Sequence, residues 1–405
     1  MSTVRGASAR LHHRSLFQLR EPAFWIFTVF VLYGAVRMAE VLHGLSSVSR
    51  SAWALSWLLL AIYALPVVVL VYRLDLYERE PISLAIGAFV WGAFAATALT
   101  LDAAGWEQIV GQVLGPDAAA RWGPAITAPV IEETLKGAGI VLLYLIARDE
   151  MDDALDGFVY GALCGLGFAI VEDVLYFMAV FGGTTTGVLE GFYIRVVSSG
   201  LYGHVLYTGL VGMGIGYVVT RRERTPLGRR IAVCAGLFTI AVLAHALWNS
   251  PLLEFVPDEP IEGGEWLLIP LGLAVKGLPL LVLVLVAVKL ARDRERRWLD
   301  AALATEVGRD GLTADELEVL RSPARRRAAV RTMRARGGAP AAALLTRLQR
   351  EQIELAMLAS RVATPDDPAL VAQRAYCGSL RAALGAIPGA ARAGAAGGAP
   401  APDDG

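Results

Sequence analysis

Long apolar runs recur along most of the chain and are separated by short polar loops. Each of eight windows is apolar over roughly the 20 residues that a helix needs to cross the hydrocarbon of a bilayer. Backbone polar groups cannot remain unpaired in lipid, so the predicted form of each window is a helix. The windows lie near 23–43, 53–73, 82–103, 125–147, 157–181, 195–219, 230–252 and 266–290. The pattern therefore predicts an all-α fold, a polytopic bundle of about eight transmembrane helices.

The pattern changes after residue 291. Charges of both signs alternate there with alanine-rich helical segments, and Thr313 with Glu316 has the spacing of a helix capping box. We predict a cytoplasmic N-terminal segment over 1–22, a transmembrane domain over 23–291, a cytoplasmic helical tail over 292–388 and a disordered end over 389–405. The tail is thus helical and partly disordered.

Within the tail, the segment ARRRAAVRTMRAR over 324–336 is strongly basic. A basic helix near a membrane is usually solvated and helps to fix the topology. It can also lie on anionic lipid headgroups or bind a partner protein. The sequence leaves these three interpretations open.

Composition and charge agree with a membrane protein. The chain has 405 residues, of which 55% are hydrophobic and only 19% are charged, which is too apolar for an ordinary soluble domain. The net charge of −1 gives no reason to expect a nucleic-acid partner. The three cysteines are scattered and fit neither a disulfide framework nor a zinc ribbon.

Lysine and arginine are concentrated in alternate loops, which indicates the orientation. The loop 220–230, TRRERTPLGRR, and the segment after the last window are rich in arginine, whereas the intervening loops hold only Arg50, Arg121 and Arg195. We therefore predict a multi-pass protein of the inner or plasma membrane with both termini in the cytoplasm.

Several ionisable residues lie inside the predicted spans, where each costs at least about 2.5–3.5 kcal/mol and so requires an explanation. On this topology, acids and histidines of windows four to seven lie about 10–14 Å below the outer ends of their helices. Independent structural groups have no reason to share a depth, so we interpret them as one site. Its candidates are Glu132, Glu133, Lys136, Glu172, His204, His245 and Asn249.

The helical spacing suggests roles for some of these residues. Lys136 follows Glu132 by four residues and Glu133 by three, so it is expected to neutralise one carboxylate and leave the other free. Asp173 adjoins Glu172 and points about 100° away, so we expect only one of the two to face the site.

The chemistry that such a site permits is activation of water. A buried carboxylate can act as a general base, and His245 with Asn249 at i and i+4 supplies donors for an oxyanion. Zinc or another divalent metal could be held by Glu132, Glu172, His204 and His245, and a metal-free mechanism remains open. The sequence contains no HExxH, GxSxG or GxGD motif.

These motifs resemble those of the PrsW family of intramembrane proteases, which is similar in layout to the CAAX-protease and bacteriocin-processing group. Glu132, Glu133 and Lys136 match an EExxK motif, and Phe168 with Glu172 matches FxxxE. The third motif, HxxxD, has no exact counterpart, because Thr208 follows His204 and Asn249 follows His245. The choice between the two histidines stays open.

The resemblance implies that 23–291 is a transmembrane protease domain in the lipid bilayer. It implies cleavage of a membrane-anchored protein substrate, such as an anti-sigma factor, near the extracytoplasmic side. Glu132, Glu133, Glu172, His204, His245 and Asn249 are then the catalytic candidates, with Lys136 and Phe168 in support. A proton-coupled transporter and a non-catalytic membrane scaffold are the alternative functions.

Overall fold

A computed structural model describes residues 15–74, 80–103, 105–197, 203–220, 225–252, 274–362 and 364–388. These ranges are helical and contain no strand, and their single β-bridge joins Val307 and Leu312. The predicted disordered end, 389–405, and most of the N-terminal segment lie outside them. By internal contacts the chain divides into two compact units between Ala291 and Arg292.

The first unit, called the membrane unit below, is a helical bundle with one continuous apolar core. Two of its helices contain π-helical turns, at Trp91–Ala96 and Tyr176–Val180, and a third such turn, Tyr193–Val197, follows the helix Thr185–Phe192. The helices are α1 Pro22–Ser46, α2 Arg50–Tyr72, α3 Ile82–Asp102, α4 Gly105–Leu114, α5 Pro116–Ile126, α6 Ala128–Ile146, α7 Ala154–Val180, α8 Thr185–Phe192, α9 His204–Thr220, α10 Leu227–Asn249 and α11 Ala274–Glu306, which continues into the second unit.

Each of the eight predicted windows corresponds to a helix, but not all of these helices have the length and composition of a span. In the described part of the chain, six are long and apolar enough to cross a membrane: α1, α2, α3, α7, α10 and α11. Helix α6 carries three charged residues, and α9 has only 17 residues. The presence of several membrane-spanning helices is confirmed, whereas the number eight stays a prediction.

Two helices begin later than their windows. Helix α6 begins at Ala128, directly after the separate helix α5, and α9 begins at His204 rather than near residue 195. Hydropathy does not detect these boundaries because the residues before each helix include several apolar ones, among which Thr127 and the pair Ser198 and Ser199 are short interruptions. Glu132 therefore lies in the second turn of α6 and His204 at the first position of α9, rather than deep inside long spans.

Helices α7 and α9 pack backbone against backbone. A Cβ atom on Gly157, Gly161 or Gly165 of α7 would overlap the carbonyl oxygen of Gly212, Thr208 or His204 of α9, respectively. Glycines allow this close approach, as in other membrane helix pairs. The contact at Gly165 fixes the backbone of His204 against α7.

The second unit, called the C-terminal unit, adds α12 Ala314–Leu320, α13 Pro323–Arg361 and α14 Pro368–Gly385 to the end of α11. Helix α13 is kinked at Gly338, which has φ 76° and is followed by Pro340. A small apolar core joins α13 and α14, and burial there raises the pKa of the Cys377 thiol to about 12.

Ion pairs also connect the helices of the C-terminal unit. Arg374 donates to both carboxylate oxygens of the buried Glu306, at 2.6 and 2.9 Å, and Arg381 donates in the same way to Glu316. Thr313 and Glu316 form the predicted capping box. Burial opposes ionisation of Glu316, but Arg381 and Thr313 hold the pKa of this carboxyl below its ordinary value.

Candidate active site

The candidate residues converge on one buried cluster inside the membrane unit. Helix α6 contributes Glu132 and Glu133, α9 contributes His204 and α10 contributes His245. One potential metal-ligating atom from each of these four side chains lies within 4.8 Å of the others. These four side chains therefore lie close together, as their shared depth in the sequence led us to expect.

Lys136 contacts both glutamates of its own helix. Its Nζ lies 3.1 Å from Glu132 Oε2 and 2.7 Å from Glu133 Oε1. Glu133 also accepts a hydrogen bond from Thr208 at 2.8 Å and is completely buried. The expectation that the lysine neutralises one carboxylate alone was wrong, because the i+3 and i+4 positions bring both within its reach.

His204 is oriented from two sides. Its Nε2 lies 2.9 Å from Glu172 Oε2, and its Nδ1 lies 2.9 Å from Lys136 Nζ. A proton on Nε2, donated to the carboxylate, leaves the Nδ1 lone pair facing the cluster. The ring of Phe168 lies 5.0 Å from that of His204 and 4.0 Å from Lys136 Nζ, so Phe168 packs against the site, where the sequence placed it.

Arg195 is a site residue that the sequence analysis missed. From the π-helical turn after α8, its guanidinium donates to Glu172 at 2.7 Å and to Asp173 at 2.6 Å, and it stacks on the ring of Tyr176. The expectation that only one of the two adjacent acids faces the site was wrong, because Arg195 binds both. The available signal was Asp173 itself, since a second acid inside a span requires a nearby cation.

His245 is buried and stacks on Tyr207, with 10° between the ring planes. Its Nδ1 lies 3.3 Å from Glu133 Oε1 but has no hydrogen-bond partner of good geometry among the described residues. Asn249 donates instead to the carbonyl of Pro124 at 3.3 Å. His245 and Asn249 thus lie four residues apart on one helix, as predicted, but the amide of Asn249 is directed to Pro124.

A cavity of about 570 Å³ opens beside the cluster. This volume lies in the range of typical ligand pockets. Glu132 lines the cavity, whereas its neighbour Glu133 does not. The charged and polar side chains on its wall also include Glu172, Asp173, Arg195, His204, His245 and Asn249.

The donor set and the charge of the cluster fit a divalent cation. Glutamate with two histidines is a common zinc donor set, and the orphaned His245 Nδ1 faces this group. With neutral imidazoles, the cluster carries a formal excess of two negative charges, since contacts among the described residues join four carboxylates to two basic side chains. These are Glu132, Glu133, Glu172 and Asp173 with Lys136 and Arg195. The sequence assigned Glu172 as a ligand, but the group of four includes Glu133 instead.

Comparison with known proteins identifies the family. The model of the PrsW family of intramembrane metalloproteases matches residues 80–288, which is more than half of the chain. The chain belongs to the PrsW family. Protease PrsW of Geobacillus kaustophilus (strain HTA426) is similar, with 29% identity over 184 residues that cover 45% of this chain and 68% of that protein. No solved structure matches the chain significantly.

Membership of the PrsW family confirms the resemblance that the motifs indicated. The chain is an intramembrane protease, which agrees with its apolar helices. This activity implies a membrane protein as substrate. All of the clustered side chains fall within the matched region, and the C-terminal unit lies outside it. The family's description as metalloproteases agrees with the donor set.

Proposed function

We propose that this PrsW-family protease cleaves a peptide bond of a membrane-anchored protein, such as an anti-sigma factor, by attack of water, with Glu132 as general base. The assignment of Glu132 rests on one observation, which is that the two adjacent glutamates have different surroundings. Glu132 lines the cavity, while Glu133 is fully buried and held by Lys136 and Thr208. Of these two glutamates, only Glu132 is therefore placed to accept a proton from a water in the cavity.

Glu133, His204 and His245 would hold the metal in this proposal. Glu133 Oε1 lies 3.9 Å from His204 Nδ1 and 3.3 Å from His245 Nδ1. When bound, a divalent ion such as zinc lowers the pKa of water and polarises the peptide carbonyl. Lys136 would then balance the two carboxylates of its own helix.

Glu172 and Arg195 act through His204 rather than on the substrate. Glu172 accepts hydrogen bonds from both His204 Nε2 and Arg195, so the arginine holds the carboxylate that orients the imidazole. Such outer partners fix the tautomer and ring direction of a metal-ligating histidine. Asn249, on the cavity wall, has an amide N–H available to a developing oxyanion besides the one donated to Pro124.

The test separates the two glutamates. Full-length protein is reconstituted with a single-span substrate, and cleavage and bound zinc are measured for the wild type, Glu132→Gln, Glu133→Gln and the control Glu190→Gln. Glu190 is an exposed acid on α8, so its substitution matches the chemical change without touching the cluster.

We expect Glu132→Gln to retain zinc and lose at least about 100-fold in cleavage rate, Glu133→Gln to lose both, and the control to lose neither. Full cleavage by Glu132→Gln removes that residue as the base. Undiminished cleavage by zinc-free, chelator-treated wild type overturns the metal-dependent mechanism.

A further inference from the structure

Four arginines on the first half of α13 lack a partner among the described residues. Arg327, Arg331, Arg334 and Arg336 form no ion pair or hydrogen bond there. Several other arginines in the C-terminal unit do have acidic partners. Examples are Arg309 and Arg374 with Glu306, Arg321 and Arg325 with Glu318, Arg350 with Glu354 and Arg381 with Glu316.

The sequence around these arginines has no acid to neutralise them. Between Arg321 and Arg350 the chain contains nine arginines and no aspartate or glutamate. A like-charged helical segment repels itself unless a partner of opposite charge lies nearby. The segment therefore points to a partner outside the chain.

Three of these arginines share one face of α13, which we call the arginine face. Arg327, Arg331 and Arg334 are spaced at i, i+4 and i+7, and all three are exposed. The other exposed positions on this side are small, as Ala328 illustrates, while Met333 on the opposite side is buried in the core. The arginine face is consequently basic and free of bulky apolar side chains.

We propose that the arginine face docks on the anionic phospholipid headgroups of the membrane that anchors the chain. Guanidinium groups bind phosphate oxygens in a bidentate geometry. A bilayer is always close to a chain held in it by several apolar helices. The face has no large apolar side chain to insert, so the interaction is electrostatic and reversible by salt.

A nucleic acid carries the same charge but fits this face less well. Single-stranded nucleic acids are held by aromatic side chains on which bases stack. The segment from Arg321 to Arg350 contains no phenylalanine, tyrosine or tryptophan. The inference concerns the C-terminal unit alone and does not depend on the catalytic roles proposed above.

The experiment measures the distance of the arginine face from lipid in the full-length protein. A donor fluorophore is attached at Ala328→Cys in a Cys234→Ser background, in which the remaining cysteines, Cys164 and Cys377, are buried. The protein is placed in phosphatidylcholine nanodiscs with or without phosphatidylglycerol, with acceptor-labelled headgroups. We expect higher energy transfer with phosphatidylglycerol and its loss at high salt.

A pair of triple variants tests the residues. Each basic side chain near an anionic surface contributes about fivefold to binding, so Arg327→Gln/Arg331→Gln/Arg334→Gln should reduce the docked-to-undocked ratio by about 100-fold. The control removes the same charge elsewhere in the unit. It is Arg309→Gln/Arg347→Gln/Arg350→Gln, and it should retain the lipid response.

Three results would overturn the proposal. They are equal energy transfer in the two lipids, an unchanged lipid response in the arginine-face variant, or a response that requires added RNA, which would make the face a nucleic-acid surface. Unchanged helical circular dichroism in both variants shows that the unit remains folded.

Discussion

Lys136 of the membrane unit and Arg350 of the C-terminal unit each form an ion pair with a glutamate of the same helix, but the two pairs have opposite surroundings. Lys136 and Glu133 are completely buried, and their pair is part of a larger cluster beside a cavity. In the C-terminal unit, the side chains of Arg350 and Glu354 are 65% and 18% exposed. Water solvates Arg350 and Glu354 in both the folded and the unfolded protein. Lys136 and Glu133 lose their water on folding, so neighbouring groups must compensate the whole cost of desolvation.

This difference shows what each set of charges contributes. An exposed ion pair contributes about 0–1 kcal/mol to the free energy of unfolding and connects one helix turn to another. Burying an ion pair gives little net stability compared with apolar side chains of the same size. The concentration of buried charges at one cavity therefore supports the proposed catalytic role better than a role in folding.

The largest expected effect comes from removing the central cation of the buried cluster. Lys136→Met leaves two buried carboxylates without their ammonium partner and should reduce the free energy of unfolding by about 3–5 kcal/mol. The matched change Arg350→Gln should alter it by less than about 1 kcal/mol. Thermal unfolding in the same detergent compares them, and similar losses in the two variants would contradict the distinction between the buried and the exposed pair.

Removal of Arg195 should have an intermediate effect on activity. In Arg195→Gln, Glu172 loses the group that holds it against His204, so kcat should fall by about 10–100-fold while KM changes little. Arg195→Lys should recover only part of the rate, because an ammonium lacks the fork that binds Glu172 and Asp173 together.

The control for Arg195 is Asp173→Asn, which changes the other carboxylate on the same guanidinium and leaves the Glu172 contact in place. It should reduce kcat less than Arg195→Gln does. A rise in KM with unchanged kcat in Arg195→Gln would instead assign this arginine to substrate binding.

The smallest expected effect lies in the C-terminal unit and depends on pH. The folded-state pKa of Glu316 is lowered, so its stabilising contribution is present above the unfolded pKa of about 4.3 and is lost as pH falls through the folded value. At pH 6, Glu316→Gln should speed hydrogen exchange of α12 by about fivefold, corresponding to about 1 kcal/mol. Near pH 2 the variant and the wild type should exchange alike, and an equal difference at both pH values would contradict this assignment.

The sequence predicted the helices and the members of the buried cluster from two simple signals. Apolar length located the eight helices, because a bilayer imposes a minimum run of apolar residues. The cost of an ionisable group in such a run made Glu132, Glu172, His204 and His245 stand out. Both signals are properties of single positions and their neighbours, so they are visible without a structure.

The remaining features depend on contacts between distant segments. Arg195 appeared as an ordinary loop arginine because its partners, Glu172 and Asp173, lie 23 and 22 residues away along the chain. The starts of α6 and α9 were missed because the few polar residues before them, such as Thr127, are too few to end an apolar window. Helical spacing alone did not show whether Lys136 binds one glutamate or both, since both positions are within its reach.

The glycine contacts between α7 and α9 have a consequence for how this enzyme can change over evolution. Where two helices touch through backbone atoms, no side chain is available to absorb a substitution, so their relative register cannot drift gradually. The backbone contact thereby fixes the distance between Glu172 and His204. Apolar residues on the cavity wall, such as Ala169 and Leu175, can be exchanged without altering the spacing of the two helices, so new substrates can be accommodated there.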